Sequence, residues 1–107
     1  MLSVIKELLE NTKWKFNTPS SITYQGFHFV LERRRFYGEV VLEISSDKTD
    51  LFRTTIYVIQ DQVGNYVRPV FDIRIKEKSA LTEEQLSNIN VLINYTIEAG
   101  DILRSLL

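Results

Sequence analysis

The sequence contains no cysteine among its 107 residues. Disulfide bonds, thiolate nucleophiles and zinc or iron–sulfur centres held by cysteine are therefore excluded. There is one histidine, His28, and the acidic residues are scattered along the chain. Acid–base catalysis and metal binding both need several such groups at one place. These absences favour a non-enzymatic protein with no catalytic residues, no metal and no cofactor.

The chain also lacks an excess of charge of either sign. Thirteen basic and fourteen acidic residues give a net charge of −1, so no overall field attracts nucleic acid or an anionic membrane. The first apolar residues are soon followed by Lys6, Glu7 and Glu10, and no apolar run is long enough to cross a bilayer or to act as a signal peptide. We therefore expect a cytoplasmic protein with no membrane association.

What the sequence does contain is enough apolar material for one core. Of its residues, 44% are hydrophobic and 11% aromatic, which is typical of a folded domain of this length. Two domains would each be too small to support a core. We predict a single domain over residues 1–107.

Helices are predicted at both ends of the chain. Residues 2–11 place apolar side chains at helical spacing, which predicts a short amphipathic helix that must dock on something larger. Near the other end, Thr82 and Gln85 have the spacing of a capping box and predict the start of a long helix. Gly100 has two interpretations: it allows the helix to pack closely against the sheet, or it ends the helix.

Between the helices, apolar and polar residues alternate as in β-strands. The clearest case is residues 53–76, where we predict a hairpin with a two-residue turn at Gly64–Asn65. That turn places Ile56 opposite Ile73 and Val58 opposite Phe71. The predicted fold class is therefore α+β: a short helix, an antiparallel meander of four to five strands, and a long helix packed on one sheet face.

Two details of this prediction concern the first strands. Residues 13–16 predict a short strand with Trp14 and Phe16 facing inward. Gly26 interrupts the alternation that begins at Ile22, which predicts a bulge or bend and allows residues 22–25 to pair with residues 13–17. Pro69 cannot donate a backbone hydrogen bond, so its strand is predicted to lie at a sheet edge or to be bulged there.

The first candidate site is a basic and aromatic hairpin connection, Arg33, Arg34, Arg35, Phe36 and Tyr37. Guanidinium groups bind phosphates or carboxylates through paired hydrogen bonds, and the rings offer stacking surfaces. One hypothesis is therefore nucleic-acid binding, and another is contact with an acidic protein surface. The alternative is a solvated loop whose charge is partly neutralised by Glu32 and Glu39.

The second candidate site is a sheet face that carries five apolar residues away from the predicted core: Val30, Val41, Tyr57, Ile59 and Val70. A sheet that is apolar on both faces needs two covering layers. The long helix supplies one layer. The other layer is either the N-terminal helix, which gives a closed monomer, or a second subunit, which gives a two-fold homodimer.

Three hypotheses about function follow from these patterns. The first is a protein-interaction module, acting as an adaptor, inhibitor or chaperone-like protein and forming a small homodimer, of microbial or mobile-element origin. The second is a nucleic-acid-binding protein that uses residues 33–37. The third is a small ligand-binding domain or hydrolase, which requires a deep pocket with convergent polar groups.

Overall fold

The computed structural model describes residues 1–35, 38–66, 68–76 and 81–107. Its elements, in chain order, are α1 (Leu2–Asn11), β1 (Ser20–Tyr24), β2 (Phe27–Arg34), β3 (Glu39–Ser46), β4 (Phe52–Ile59), β5 (Val70–Ile75) and α2 (Glu83–Leu106). The five strands form one antiparallel sheet in the order β1-β2-β3-β4-β5. The predicted α+β class and the predicted order of elements are confirmed.

Both helices pack on the same face of the sheet. One core cluster contains the buried apolar residues of α1 and α2 together with inward residues of β2, β3 and β4. Its fully buried members include Ile5, Leu8, Phe29, Leu31, Leu42, Ile44, Ile56, Leu92 and Leu103. Because side chains alternate along a strand, the residues between these positions face away from both helices. The sheet therefore has one covered face and one face that neither helix covers.

The first hairpin differs from the prediction. Tyr24 pairs with Phe27, so Gln25 and Gly26 form a two-residue turn between β1 and β2, and both have positive φ, at 48° and 82°. This is the pattern of a type I′ hairpin turn. Of the predicted bulge or bend at Gly26, the bulge is therefore wrong, and so is the pairing of residues 22–25 with residues 13–17, because β1 pairs with β2. Residues 13–16 do not form an inward-facing strand either, since Trp14 is 85% exposed.

The hairpin of β4 and β5 exists, but its turn is longer than predicted. Asp61 N–H donates to the Asn65 carbonyl (2.7 Å), and Gly64 N–H donates to the Asp61 carbonyl (3.1 Å). The Asp61 carboxylate accepts from the backbone N–H groups of Val63 and Asn65, both at 3.0 Å. Gly64 has φ 87°. This combination of a type I turn and a left-handed glycine forms a three-residue hairpin loop.

The longer loop changes the register by two residues. Ile56 pairs with Phe71 and Thr54 pairs with Ile73, so the predicted pairing is wrong. A shift of two residues leaves every side chain on its predicted face, because the period of a strand is two. Near the tip, Gln60 bridges to Tyr66, and within the strands Tyr57 pairs with Val70. In the described part of the chain β5 is an edge strand, which is one of the two positions predicted from Pro69.

The long helix begins as predicted. Thr82 and Gln85 form a reciprocal capping box, with donor–acceptor distances of 2.8 Å and 3.2 Å. The helix continues through Gly100 to Leu106. A Cβ atom at Gly100 would lie 2.7 Å from the Phe71 ring. Of the two interpretations of this glycine, close packing against the sheet is therefore the one that the structure supports.

Candidate functional site

Arg33 is engaged at the end of α1. Its Nη2 donates to the Leu9 carbonyl at 3.1 Å, and its Nε donates to Thr12 Oγ1 at 3.3 Å. The last carbonyls of a helix lack partners within the helix and carry partial negative charge. Arg33 therefore caps α1 and ties it to β2, a role that the sequence did not indicate.

Arg34 lies on the other face of the sheet, because neighbouring residues of a strand point in opposite directions. Its Nη1 contacts Glu39 Oε1 at 3.0 Å, and its Nε lies 3.6 Å from Glu32 Oε1. Arg35 is exposed, and Phe36 and Tyr37 lie outside the described residues. The predicted basic cluster is therefore divided between two faces, and two of its three guanidinium groups have partners within the chain.

The five apolar residues of the uncovered face do lie near one another. Val41, Tyr57 and Val70 occupy adjacent positions across β3, β4 and β5, and Val30 and Ile59 flank this row. Their exposure differs widely: Val70 is 58% exposed, whereas Val41 is only 6% exposed. Val41 is buried although neither helix lies above it, so neighbouring side chains already cover it. The rest of this face is polar.

A second group of exposed apolar side chains lies on the covered face and on α2. This helix packs over β4 and β3 and reaches β5 at Phe71, which lies against Gly100. Phe71 and Ile73 belong to the same face as the core, yet they are 44% and 42% exposed. Ile97 is 52% exposed and Leu86 is 48% exposed. We call these four residues, Phe71, Ile73, Leu86 and Ile97, the α2–β5 seam.

The helical spacing relates the α2 residues of the seam to Gly100. Leu86 and Ile97 recur with Gly100 at intervals of eleven and three residues, which places all three on one side of the helix. Gly100 lies against the ring of Phe71. A depression of about 190 Å³ at this place is lined by Phe71, Ile97 and Gly100 and by the charged residues Asp101 and Arg104, among others.

The backbone of β5 is free along one side. Lys76 N–H donates to the Leu51 carbonyl at 2.7 Å, and in an antiparallel pair alternate residues make these bonds. Val70, Asp72 and Arg74 therefore direct their backbone groups towards β4. Phe71, Ile73 and Ile75 alternate with these residues, so their backbone N–H and C=O groups point away from the sheet. Among the described residues, β5 pairs with no strand except β4.

Polar groups that could perform chemistry are not gathered in one place in the described part of the chain. His28 Nδ1 lies 3.0 Å from Thr23 Oγ1 on the exposed sheet surface. No three histidine, aspartate or glutamate side chains among the described residues are arranged to hold a metal ion. A depression of about 520 Å³ beside α1 is lined by charged side chains such as Lys6, Glu10 and Lys13, together with three leucines.

Among the described residues, the carboxyl group of Asp50 has a clearly displaced pKa. A hydrogen bond of 2.9 Å from Lys76 Nζ, together with the charge of that ammonium, lowers the pKa of Asp50. Asp50 is fully exposed, and the pair joins the loop before β4 to the end of β5. Its position indicates a surface ion pair that stabilises the hairpin.

No model of a protein family, no curated protein and no solved structure matches this chain. Among the residues described, neither helix combines the length and the apolar character needed to cross a bilayer. The choice of the α2–β5 seam as the candidate site therefore depends on its geometry alone.

Sequence reasoning missed the seam, although it placed Phe71 and Ile73 on the correct face. The available signal was the width of the apolar stripe on α2. Leu86 and Ile97 lie well to one side of the buried residues Ile89 and Leu92, so the stripe is broader than one sheet contact requires. The second signal was Pro69, which directly precedes the edge strand β5.

Proposed function

We propose that the protein is a non-enzymatic protein-interaction module that binds an extended polypeptide segment at the α2–β5 seam. The observation that carries this proposal is the exposure of Phe71 and Ile73 on the face of the sheet that otherwise forms the core. Contiguous exposed apolar side chains are uncommon on a monomeric protein and usually mark a binding surface. Among the residues that the structure describes, no cluster of histidine and acidic side chains lies beside them.

The edge of β5 supports binding by strand addition. An added strand receives main-chain hydrogen bonds from the outward groups of Phe71, Ile73 and Ile75, which supply affinity independent of sequence. Its alternate side chains enter the seam between β5 and Ile97, which supplies selectivity for apolar residues. The side chains of the added strand that alternate with these lie beside Asp72 and Arg74 on the uncovered face.

Nucleic-acid binding through residues 33–37 has weaker support. The guanidinium groups of Arg33 and Arg34 are directed to opposite faces and are engaged by Leu9, Thr12 and Glu39. Binding to phosphates would require these contacts to be exchanged for new ones. We therefore retain the interaction module as the proposed function.

Selection from a phage-displayed library of random peptides tests this proposal. The protein is immobilised at low density, so that its copies cannot pair with one another. We expect enrichment of extended peptides with alternating apolar residues, because only such peptides fit both the strand edge and the seam. Substitution of Ile73 or Ile97 by lysine is expected to weaken the selected peptides at least about tenfold, which corresponds to about 1.4 kcal/mol.

Thr23→Lys is the matched control. Thr23 is exposed on β1, the opposite edge of the sheet, and its substitution should leave peptide binding unchanged. Circular dichroism checks that each variant keeps its fold. If no peptide is enriched, or if binding is insensitive to both seam substitutions, the proposed function is wrong.

A further inference from the structure

We propose that the polypeptide bound at the α2–β5 seam is β5 of a second copy of this chain, paired antiparallel about a two-fold axis at Ile73. The two sheets then form one continuous ten-stranded sheet with all four helices on the same face. This inference rests on the proposed function, since it names the partner for the same edge and seam. A two-fold axis makes the surface self-complementary.

The backbone restricts the choice of register. Hydrogen-bonded pairs across the new interface must join residues whose backbone groups point outward, which are Phe71, Ile73 and Ile75. A two-fold axis at Ile73 pairs this residue with its own copy and pairs Phe71 with Ile75 of the other copy, twice. All three outward residues of each β5 are then hydrogen-bonded.

The charges of Asp72 and Arg74 favour this register over the two adjacent registers. With the axis at Ile73, Asp72 lies directly opposite Arg74 of the second copy, and the same pair forms again on the other side of the axis. Moving the two-fold axis by one residue, to Asp72 or to Arg74, places that residue directly opposite its own copy. Opposite charges stabilise such cross-strand pairs and like charges destabilise them. These positions are non-hydrogen-bonded pairs, in which side chains approach most closely.

The existing contacts are compatible with this arrangement. Arg74 Nε already lies 3.1 Å from Asp72 Oδ2 within one chain, and both side chains remain partly exposed, at 68% and 39%. Each carboxylate has a second oxygen for a second guanidinium. In the dimer, two aspartates and two arginines form an alternating cluster with no net charge.

The apolar side chains fill the space between the two helices. Each α2 lies over its own β4, and three strand spacings separate the two copies of β4, a distance of about 14 Å. Directly packed helices are about 8–10 Å apart. The two α2 helices are therefore farther apart than directly packed helices, and the side chains of Phe71, Ile73 and Ile97 fill the space between them. Side chains that are exposed in the single chain thereby become buried between two copies.

A pair of reciprocal charge substitutions tests the inference. Asp72→Arg leaves only positive charges at positions 72 and 74, and Arg74→Asp leaves only negative charges. Each variant alone would place like charges opposite each other at both pairs. We expect each to dimerise at least about tenfold more weakly than the wild type. A mixture of the two variants restores both opposite-charge pairs, so it should form a heterodimer.

Sedimentation velocity from micromolar to near-millimolar concentration measures these equilibria. Ile73→Lys should abolish the dimer, and Thr23→Lys on the opposite edge should leave it unchanged. The inference is overturned if the wild type is monomeric at every concentration, if its dimer survives the Ile73 substitution, or if mixing the charge variants restores nothing. A monomer that still selects peptides in the library experiment would leave the proposed function intact. A monomer that selects none would remove both.

Discussion

The sequence places Arg33 in a predicted surface cluster, whereas the structure shows its guanidinium bonded to the end of α1. Its contribution to the free energy of unfolding can be measured. Replacing Arg33 by alanine removes its hydrogen bonds to the Leu9 carbonyl and to Thr12 Oγ1. It also removes a positive charge from the carboxyl end of α1. The half-buried stem of the side chain is lost as well.

The expected cost follows from these contacts. A hydrogen bond from a charged donor contributes roughly 1.5–3 kcal/mol when buried. The partial exposure of Arg33 reduces this to about 1 kcal/mol, and the favourable interaction with the helix end adds about 0.5 kcal/mol. With the lost packing, Arg33→Ala should lower the free energy of unfolding by about 2 kcal/mol. For a domain of this size that corresponds to a fall in Tm of about 10 °C.

Urea and thermal unfolding followed by circular dichroism measure this change. Arg33→Lys keeps the charge but not the forked geometry, so it should recover about half of the loss. Arg35→Ala is the control: Arg35 is exposed, and its substitution should change stability by less than about 0.5 kcal/mol. If Arg33→Ala is as stable as the wild type, Arg33 does not cap α1 and its assignment to the fold is wrong.

Three further substitutions have defined outcomes. The hydroxyl of Thr54 is fully buried and has no hydrogen-bond partner among the described residues, so Thr54→Val should raise the free energy of unfolding by about 1 kcal/mol in urea titration; a loss would show that the hydroxyl has a partner. Thr82→Ala removes the hydroxyl that accepts from Gln85 N–H and should cost about 1 kcal/mol in the same assay, whereas Thr82→Asn should retain most of the stability. Lys76→Met should raise the pKa of Asp50 towards its ordinary value of about 3.9 in an NMR titration, and an unchanged pKa would contradict the cause assigned to its shift.

The sign of the Asp50 effect on stability follows from the direction of its shift. Because its pKa is lower in the folded state, the ion pair with Lys76 stabilises the fold at pH values above the ordinary carboxyl pKa. That contribution is lost as the pH falls through the lowered pKa and the carboxylate is protonated. The pair is exposed, so the change in stability should be small and should weaken further with added salt.

Both helices could be predicted from sequence because their signals are local. The apolar spacing of residues 2–11 and the capping box at Thr82 each involve contacts within one or two turns. The faces of the strands were also predictable, since alternation depends on neighbouring residues alone. These local rules are sufficient to give the α+β class and the meander order.

Turn type was predicted less well, and the reason is visible in two loops. Gln25 adopts positive φ, which few residues other than glycine, asparagine and aspartate do readily, so the tight turn at Gly26 was interpreted as a bulge. In the other loop, Asp61 and Gly64 have the spacing of the first and last positions of a type I turn. The adjacent Gly64–Asn65 pair resembled a tighter turn and concealed that signal.

The position of α2 across the sheet could not be predicted from its apolar stripe. Ile89 and Ile97 are equally apolar in sequence, yet one is buried and the other is half exposed. Which side of the stripe is covered depends on how α1 and α2 share the sheet, and that is a property of the whole fold. The separation of Arg33 from Arg34 was predictable from alternation, but the helix that Arg33 caps was not.

Amide hydrogen exchange along β5, followed by NMR at low and high protein concentration, tests the proposed pairing most directly. The amides of Phe71, Ile73 and Ile75 point away from β4, whereas those of the even-numbered residues are bonded to it. We predict that these three amides exchange rapidly in dilute solution and become protected as concentration rises, while the even-numbered amides stay protected throughout. Rapid exchange of all three at the highest concentration would contradict strand pairing at this edge.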